Sequence, residues 1–265
     1  FPASNAHTRG FMRSSRREHW DRFWKRDRSL SEIYDNDDRI AQETVRVMDL
    51  DGVLSLEVGA ATARDSVSLA RRGAVPVALD YSMEALRRAR QAGGAMLVCG
   101  DAEALPFKDG SFGLVFHQGV MEHFRDPDPM LAENARVLRE GGTLLVDVPQ
   151  TLHVYTVIKK ALIALGAWFA GWETQFTPGQ LRRVLRRHGL RPYASYGRMF
   201  SPSLAYRMLR EALLRVGAKL PMRPVVVPPV HRLRARVRRA VERSPLGPRI
   251  GVVVGVFAVK PKDPS

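Results

Sequence analysis

Acidic residues stand where three successive apolar runs of the sequence end. Glu57 lies near the end of VLSLEV, Asp80 ends VPVALD, and Asp101 follows AMLVCG. Asp80 comes 21 residues after Gly59, and a carboxylate about 20 residues beyond a glycine turn is placed to bind a ribose diol. Small residues from Gly59 to Ala63 would let the backbone approach a ligand closely. These features predict a site for a nucleotide-type cofactor.

The apolar runs alternate with amphipathic segments over residues 53–148. Helical patterns cover 62–73, 82–91 and 128–142, and they separate short runs rich in Val and Leu at 53–58, 75–80, 95–100, 112–117 and 143–148. This alternation predicts an α/β, Rossmann-like core, a parallel sheet with helices on both faces. Because the carboxyl ends of parallel strands meet at one edge, the three carboxylates are expected beside a common crevice.

The remaining sequence predicts parts added to this core. Residues 1–50 would form an N-terminal helical extension with a helix over 37–50. Residues 51–200 and 249–262 would form the core, with a helix at 177–189, a strand at 190–197 and a last strand within 249–260. Residues 151–173 form an apolar cover segment containing Trp168, Phe169 and Trp172, which would contact a hydrophobic acceptor, a membrane or the insertion that follows. Residues 201–248 form that basic insertion.

The net charge of +15 comes from one region. Residues 179–249 contain 18 Lys and Arg against two Glu. Within them, residues 232–243 predict a basic amphipathic helix, which suits an anionic membrane surface, a phosphorylated substrate, RNA or a solvated face. No RNA-binding module is recognisable, so nucleic acid is the less favoured partner.

Cysteine content and hydropathy indicate the compartment. The single cysteine, Cys99, excludes an internal disulfide framework and a cysteine-based zinc site. The N-terminal 28 residues lack the apolar core of a signal peptide, and the most apolar stretch, 152–172, is interrupted by Lys159 and Lys160. We expect a cytoplasmic protein that lies at most on a membrane surface.

Five motifs resemble a known family: LEVGAATA, VALDYS, GDAEALPF, SFGLVFHQGVMEHF and ARVLREGGTLLVDVP. In this order they resemble class I S-adenosylmethionine-dependent methyltransferases, particularly the small-molecule group of quinone and sugar methyltransferases. The resemblance is close over 53–148 and weaker over 174–190. It implies a seven-stranded, mostly parallel sheet whose final strand is antiparallel. It also implies S-adenosylmethionine as cofactor, with S-adenosylhomocysteine as product.

The resemblance assigns cofactor contacts residue by residue. It places Glu57, Gly59, Ala60 and Ala61 around the methionine part of the cofactor and Asp80 at the ribose. It places Tyr81, Met83, Asp101 and Ala102 at the adenine. At the sulfonium end it places His117 and Gln118. The chain departs from the family where Ala61 and Ala63 replace the usual glycines and where Gly113 replaces an aspartate. An alanine that needs a positive φ would weaken cofactor binding.

Methyl transfer from a sulfonium is an in-line displacement that requires alignment and no metal. If the acceptor is a hydroxyl, a base assists, and His117 or His123 is the candidate. His123 is alternatively a packed histidine at a helix start. The sequence predicts O-methylation of a small or lipid-linked acceptor such as a quinone, a polyketide-like molecule or a glycolipid. The alternatives are an RNA methyltransferase that uses 179–249 and a non-catalytic binding protein of the same fold.

Overall fold

The computed structural model describes most of the chain, with gaps near the N-terminus, in the cover segment and in the basic region. The described residues are 20–21, 24–25, 38–153, 156–157, 160–161, 164, 173–199, 206, 209–210, 213, 217–218, 220–221 and 228–262. Trp168, Phe169 and Trp172, which we singled out in the cover segment, lie outside them.

Seven strands form one sheet in the order β3-β2-β1-β4-β5-β7-β6. The strands are β1 Leu54–Val58, β2 Val75–Asp80, β3 Met96–Cys99, β4 Phe112–Gln118, β5 Leu138–Pro149, β6 Arg191–Arg198 and β7 Val253–Val259. The first five strands are parallel, and β7 lies antiparallel between β5 and β6. The predicted α/β fold with an antiparallel last strand is therefore confirmed.

Helices precede, separate and follow the strands. Their bounds are α1 Arg39–Thr44, α2 Arg64–Ala70, α3 Met83–Ala92, α4 Asp128–Val137, α5 Pro178–Arg187, α6 Pro228–Arg243 and α7 Gly247–Ile250. Local sequence explains two starts. The Ser82 hydroxyl caps α3 by accepting from the Ala85 N–H at 3.3 Å, and Thr177 and Gln180 form a reciprocal capping box at α5.

Alternate residues of the central strands enter two separate hydrophobic clusters. Val115 of β4 packs in a cluster with Leu131 and Leu181, whereas its neighbour Phe116 packs in another with Ile40 and Phe257. This alternation is the two-residue period of a strand that is buried on both faces. Since Ile40 is fully buried, α1 belongs to the packed core, although the sequence analysis placed it in an extension.

Two predicted helices are shorter in the structure. The helical pattern at 128–142 ends at Val137, and Leu138 already pairs with Phe112 as the start of β5. Glycines at 141 and 142 disfavour a helix there, and Gly141 has a φ of 70°. The helix predicted over 37–50 ends at Thr44, after which the chain turns so that Leu50 enters the core.

The C-terminal part of the basic region packs beside the last strands. The helix predicted at 232–243 is confirmed as part of α6, which contacts β6 and α7. A Cβ at Gly197 would lie 1.9 Å from the Gly247 carbonyl oxygen, so β6 and α7 meet through glycine. The domain bounds at 50, 200 and 248 stay predictions. Among the described residues, none of the helices has the length and apolarity needed to cross a bilayer.

Candidate functional site

A cavity lies at the carboxyl edge of β1, β2, β3 and β4. The space within its lining, open solvent included, is about 740 Å³. Seven of the predicted site residues line it: Gly59, Ala61, Asp80, Tyr81, Asp101, Ala102 and His123. The structure therefore brings together the tips of four strands, as expected from the parallel sheet.

Asp80, at the tip of β2, is bound by backbone groups of two segments. Its Oδ2 accepts from the Ala61 N–H at 2.7 Å, and its Oδ1 accepts from the Ser82 N–H at 2.8 Å. The Ser82 hydroxyl in turn donates to Asp21. Burial raises the pKa of Asp80, while the backbone N–H groups oppose that rise because they favour the charged form. Asp80 thus holds the loop after β1, the start of α3 and the Asp21 segment together.

The loop after β1 has an unusual backbone. Gly59, Ala61 and Ala63 have φ values of 69°, 52° and 54°. A Cβ at Gly59 would lie 2.5 Å from a methyl carbon of Val120, so only glycine fits there. The two alanines occupy the left-handed region, which costs roughly 1–2 kcal/mol for a residue with a Cβ. This confirms that they stand where a positive φ is required.

Glu57 does not line the cavity. Its Oε2 accepts from the Ser66 N–H at 2.9 Å and from the Ser66 hydroxyl at 2.6 Å, which joins β1 to α2. Burial raises the pKa of Glu57 to about 8, and the neighbouring Asp65 charge adds to the rise. In the structure Glu57 therefore supports the loop from below, and its contact with the methionine part stays a prediction.

Asp101 begins the loop after β3, which a cationic side chain holds in place. Asp101 Oδ1 accepts from the Glu103 N–H at 2.9 Å. The Arg136 guanidinium donates to the Leu105 and Phe107 carbonyl oxygens at 3.0 and 2.8 Å. It also pairs with Glu133 at 2.7 Å, so α4 fixes the loop that presents Asp101 and Ala102 to the cavity.

Aromatic rings form the end of the cavity beside β4. His123 ends a 3₁₀ turn, Met121–His123, and its ring meets the edge of Trp20 with centroids 5.0 Å apart. Phe124 follows this turn, and both it and Trp24 line the cavity. The Thr174 N–H donates to the Glu122 carbonyl at 2.8 Å, which ties the turn to the chain that precedes α5.

The structure buries His117, which the resemblance places at the sulfonium end. Its side chain is fully buried, it does not line the cavity, and neither ring nitrogen has a hydrogen-bond partner among the described residues. Burial lowers the pKa of His117 to about 3. The imidazole is therefore neutral and has no route to an acceptor in this structure. The alternation of β4 explains this, because His117 shares the covered face with Val115.

Gln118, Ala60 and Met83 are not among the residues that line the cavity. Gln118 faces a buried polar network, with its amide nitrogen 3.1 Å from Asp65 and its oxygen 2.9 Å from Arg39 in the orientation that satisfies both. Arg39 pairs with Asp147 at 2.9 Å, and the Tyr196 hydroxyl donates to the same carboxylate at 2.6 Å. Ala60 is buried and Met83 is 42% exposed.

Seven further residues line the cavity, and the sequence motifs assigned none of them a contact. They are Trp20, Trp24, Leu79, Gly100, Gly119, Val120 and Phe124. Five of them lie within the motifs quoted above, beside residues that were assigned a contact, so a cavity at the strand tips would be expected to include them. Trp20 and Trp24 come from outside the sheet, and their helical spacing was the only sequence signal. The described residues include no group of three or more His, Cys, Asp or Glu able to hold a metal, and metal-free catalysis stays a prediction.

The strained loop yields a stability prediction. Ala61→Gly should raise the free energy of unfolding by up to about 1 kcal/mol, because glycine adopts the left-handed region without a steric cost. The matched control is Ala60→Gly, because Ala60 does not have a positive φ. This substitution should lower the free energy of unfolding by about 0.5–1 kcal/mol. Urea unfolding followed by circular dichroism measures both. Equal destabilisation by the two substitutions would contradict the strain.

The buried histidine yields a pH prediction. Because the folded state holds His117 neutral, its contribution to stability is present above the ordinary histidine pKa and is lost as pH falls. Between pH 7 and pH 5 the parent protein should lose about 2 kcal/mol more stability than His117→Leu. Urea unfolding at the two pH values measures this. Parallel pH profiles for the two proteins would show that His117 is solvated.

Comparison with known proteins agrees with this geometry. Residues 56–146 match the family described as a methyltransferase domain. A demethylmenaquinone methyltransferase of Thermobifida fusca is 39% identical over 112 residues, which are 40% of this chain and 48% of that protein. Another from Mycolicibacterium vanbaalenii is 36% identical over 146 residues, 54% of this chain and 57% of that protein. The chain spans about half the length of these curated relatives.

Solved structures share the fold over nearly the whole chain. A SAM-dependent methyltransferase of Thermotoga maritima has a TM-score of 0.63 and 20% identity, covering 92% of this chain and 99% of that one. The methyltransferase bound to the Trm112 activator of Haloferax volcanii has a TM-score of 0.65 and 19% identity, covering 95% and 100%. Residues 56–146 therefore resemble a methyltransferase domain, and the chain has the fold of these solved methyltransferases over nearly its whole length.

Proposed function

We propose that the cavity binds S-adenosylmethionine and that the chain transfers the methyl group to a small or lipid-linked acceptor of the quinol class. The order of groups along the cavity carries this proposal. Asp101 and Asp80 follow β3 and β2, whereas His123 and Phe124 follow β4. With strands about 4.8 Å apart, four strand tips span about 14 Å. The carboxylates of Asp80 and Asp101 thus stand at one end, and the rings of His123 and Phe124 stand at the other.

The residues present fit the cofactor. Each Asp80 oxygen accepts one backbone N–H and keeps a lone pair for a diol. Gly59 and Gly100 have no side chain between their backbone and the cavity, so the cofactor could lie directly against them. An added Cβ at Gly100 would lie 2.8 Å from a methyl carbon of Leu79. Asp101 and Ala102 border the same end of the cavity, so they would hold the adenine, with Tyr81 beside it.

The chain's own groups supply alignment and a base. S-adenosylmethionine, when bound, supplies an electrophilic methyl group on a positively charged sulfonium. Alignment of the reactants contributes about 7–11 kcal/mol in the best cases. The His123 imidazole lies at the aromatic end and would take the proton from an acceptor hydroxyl, a role suited to histidine near neutral pH. Trp20 orients the His123 ring through their edge contact.

The acceptor class rests on the aromatic end and on the relatives. Trp20, His123 and Phe124 offer ring surfaces against which a planar acceptor would pack. The relatives' names describe a demethylated quinone as the acceptor and give no support to a hydroxyl oxygen as the methylated atom. A deprotonated hydroquinone is nucleophilic at oxygen and at ring carbon, so His123 would serve both outcomes. O-methylation therefore stays a prediction, and the RNA alternative gains no support from the relatives.

Substitution at the strand tips tests the cofactor map. Asp80→Ala should weaken S-adenosylhomocysteine binding by about 100-fold or more, because charge-assisted hydrogen bonds contribute about 1.5–3 kcal/mol each. Asp101→Ala should weaken it less. The control Asp51→Ala removes an exposed carboxylate that precedes β1, at the opposite edge of the sheet, and should leave affinity unchanged. Calorimetry measures the affinities, and circular dichroism checks folding. Unchanged affinity in folded Asp80→Ala would refute the map.

An assay with a defined acceptor tests the reaction. Purified protein, S-adenosylmethionine and a short-chain demethylated naphthoquinol should give a product heavier by one CH₂ unit in mass spectrometry. Nuclear magnetic resonance then separates a ring methyl from a methoxy product. His123→Phe should lower kcat by about 10²–10⁴ while cofactor affinity is nearly kept. Cofactor binding without any methylated quinol would reject this acceptor class, and a loss below tenfold in His123→Phe would reject the base.

A further inference from the structure

The orientation of α6 is fixed by its one acidic residue. Glu242 Oε2 accepts from the Arg198 guanidinium at 3.1 Å, and its Oε1 accepts from the Met199 N–H at 2.9 Å. The Glu242 side chain is only 6% exposed. The face of α6 that carries Glu242 therefore points toward the end of β6.

The opposite face of α6 presents apolar side chains to the outside. At 3.6 residues per turn, Leu233 and Val237 lie nearly opposite Glu242. They are 63% and 56% exposed, and Leu246 and Ile250 at α7 are 54% and 42% exposed. Well-exposed large apolar side chains that share one face of a helix are typical of an interaction surface.

Arginines flank this apolar stripe. The six arginines of α6 are Arg232, Arg234, Arg236, Arg238, Arg239 and Arg243. Arg234 and Arg236 lie on either side of the stripe and are exposed. Because Glu242 is engaged with Arg198, no carboxylate of α6 offsets these cations. An apolar stripe between cationic flanks is the pattern of helices that lie in the interface of an anionic bilayer.

The sheet places this surface at the same edge as the cavity. Val253, the first residue of β7, pairs with Pro149 at the end of β5 and with Arg198 at the end of β6. The carboxyl ends of β5 and β6 thus lie at the edge that holds the cavity. Leu152, three residues after Pro149, is 68% exposed, and the buried Gln150 binds the Pro248 carbonyl of α7 at 3.5 Å.

We propose that α6 and α7 dock the chain onto an anionic lipid surface through Leu233, Val237, Leu246 and Ile250, with the flanking arginines on lipid phosphates. Because the α6–α7 surface lies at the carboxyl edge of the sheet, docking would turn the cavity toward the bilayer. A lipid-linked acceptor would be held in that bilayer. That consequence rests on the proposed function, whereas the docking itself does not. RNA is disfavoured because α6 has no Phe, Tyr or Trp side chain for base stacking and exposes apolar side chains.

Cosedimentation of the full chain with vesicles tests the docking. The parent protein should pellet with vesicles of phosphatidylcholine and phosphatidylglycerol and stay in solution with phosphatidylcholine alone. Replacing Arg234, Arg236, Arg239 and Arg243 with Gln should lower the partition coefficient by 100-fold or more, since each arginine contributes about fivefold. Leu233→Gln with Val237→Gln should lower it at least tenfold with the charge unchanged.

A matched control separates docking from bulk charge. Replacing Arg182, Arg183, Arg186 and Arg187 of α5 with Gln removes the same charge elsewhere and should lower partition by less than tenfold. Equal loss in this control, absence of vesicle binding, or retention of an RNA oligonucleotide in place of vesicles would each overturn the proposal. Turnover on a soluble quinol should be unchanged in the α6 variants, so failure of docking and failure of methyl transfer are distinguished.

Discussion

The carboxylate of Asp80 is the interaction on which the site depends. It accepts one backbone N–H from the loop after β1 and one from the start of α3, and Ser82 extends this contact to Asp21. Burying a charge is costly unless hydrogen bonds compensate. The backbone donors provide that compensation, so the loop is held in the conformation that places Gly59 and Ala61 at the cavity. The same carboxylate keeps lone pairs that could accept hydrogen bonds from a ligand. One side chain therefore both holds the loop in place and lines the cavity.

Buried polar groups beneath the cavity make its edge rigid. Arg39 and Tyr196 converge on Asp147 at the end of β5, and Glu57 joins β1 to α2 through Ser66. Burial raises the pKa of Asp147, and the ion pair with Arg39 opposes that rise. Leaving one member of such a network without its partner is strongly destabilising. These contacts therefore link α1 and α2, which share the core cluster of Ile40 and Leu69, to β5 and β1 beneath the cavity.

The fold could be predicted because parallel strands and their helices leave a clear pattern in the sequence. Asp80 and Asp101 were found for the same reason, since a strand tip fixes where a side chain lies. His117, expected at the sulfonium end, is buried because the alternation of β4 puts it on the same face as Val115, which packs with Leu131 and Leu181. Trp20 could not be placed, because its position depends on tertiary packing of a segment outside the sheet.

Hydrogen–deuterium exchange with and without S-adenosylhomocysteine tests the central claim, that one ligand bridges four strand tips. Peptides covering 59–63, 80–82, 100–102 and 119–124 should gain protection together on ligand addition, because their backbone borders the cavity. Peptides of α5, at 178–187, should exchange as before. Protection confined to other segments, or absent from the loops after β1 and β2, would contradict the account.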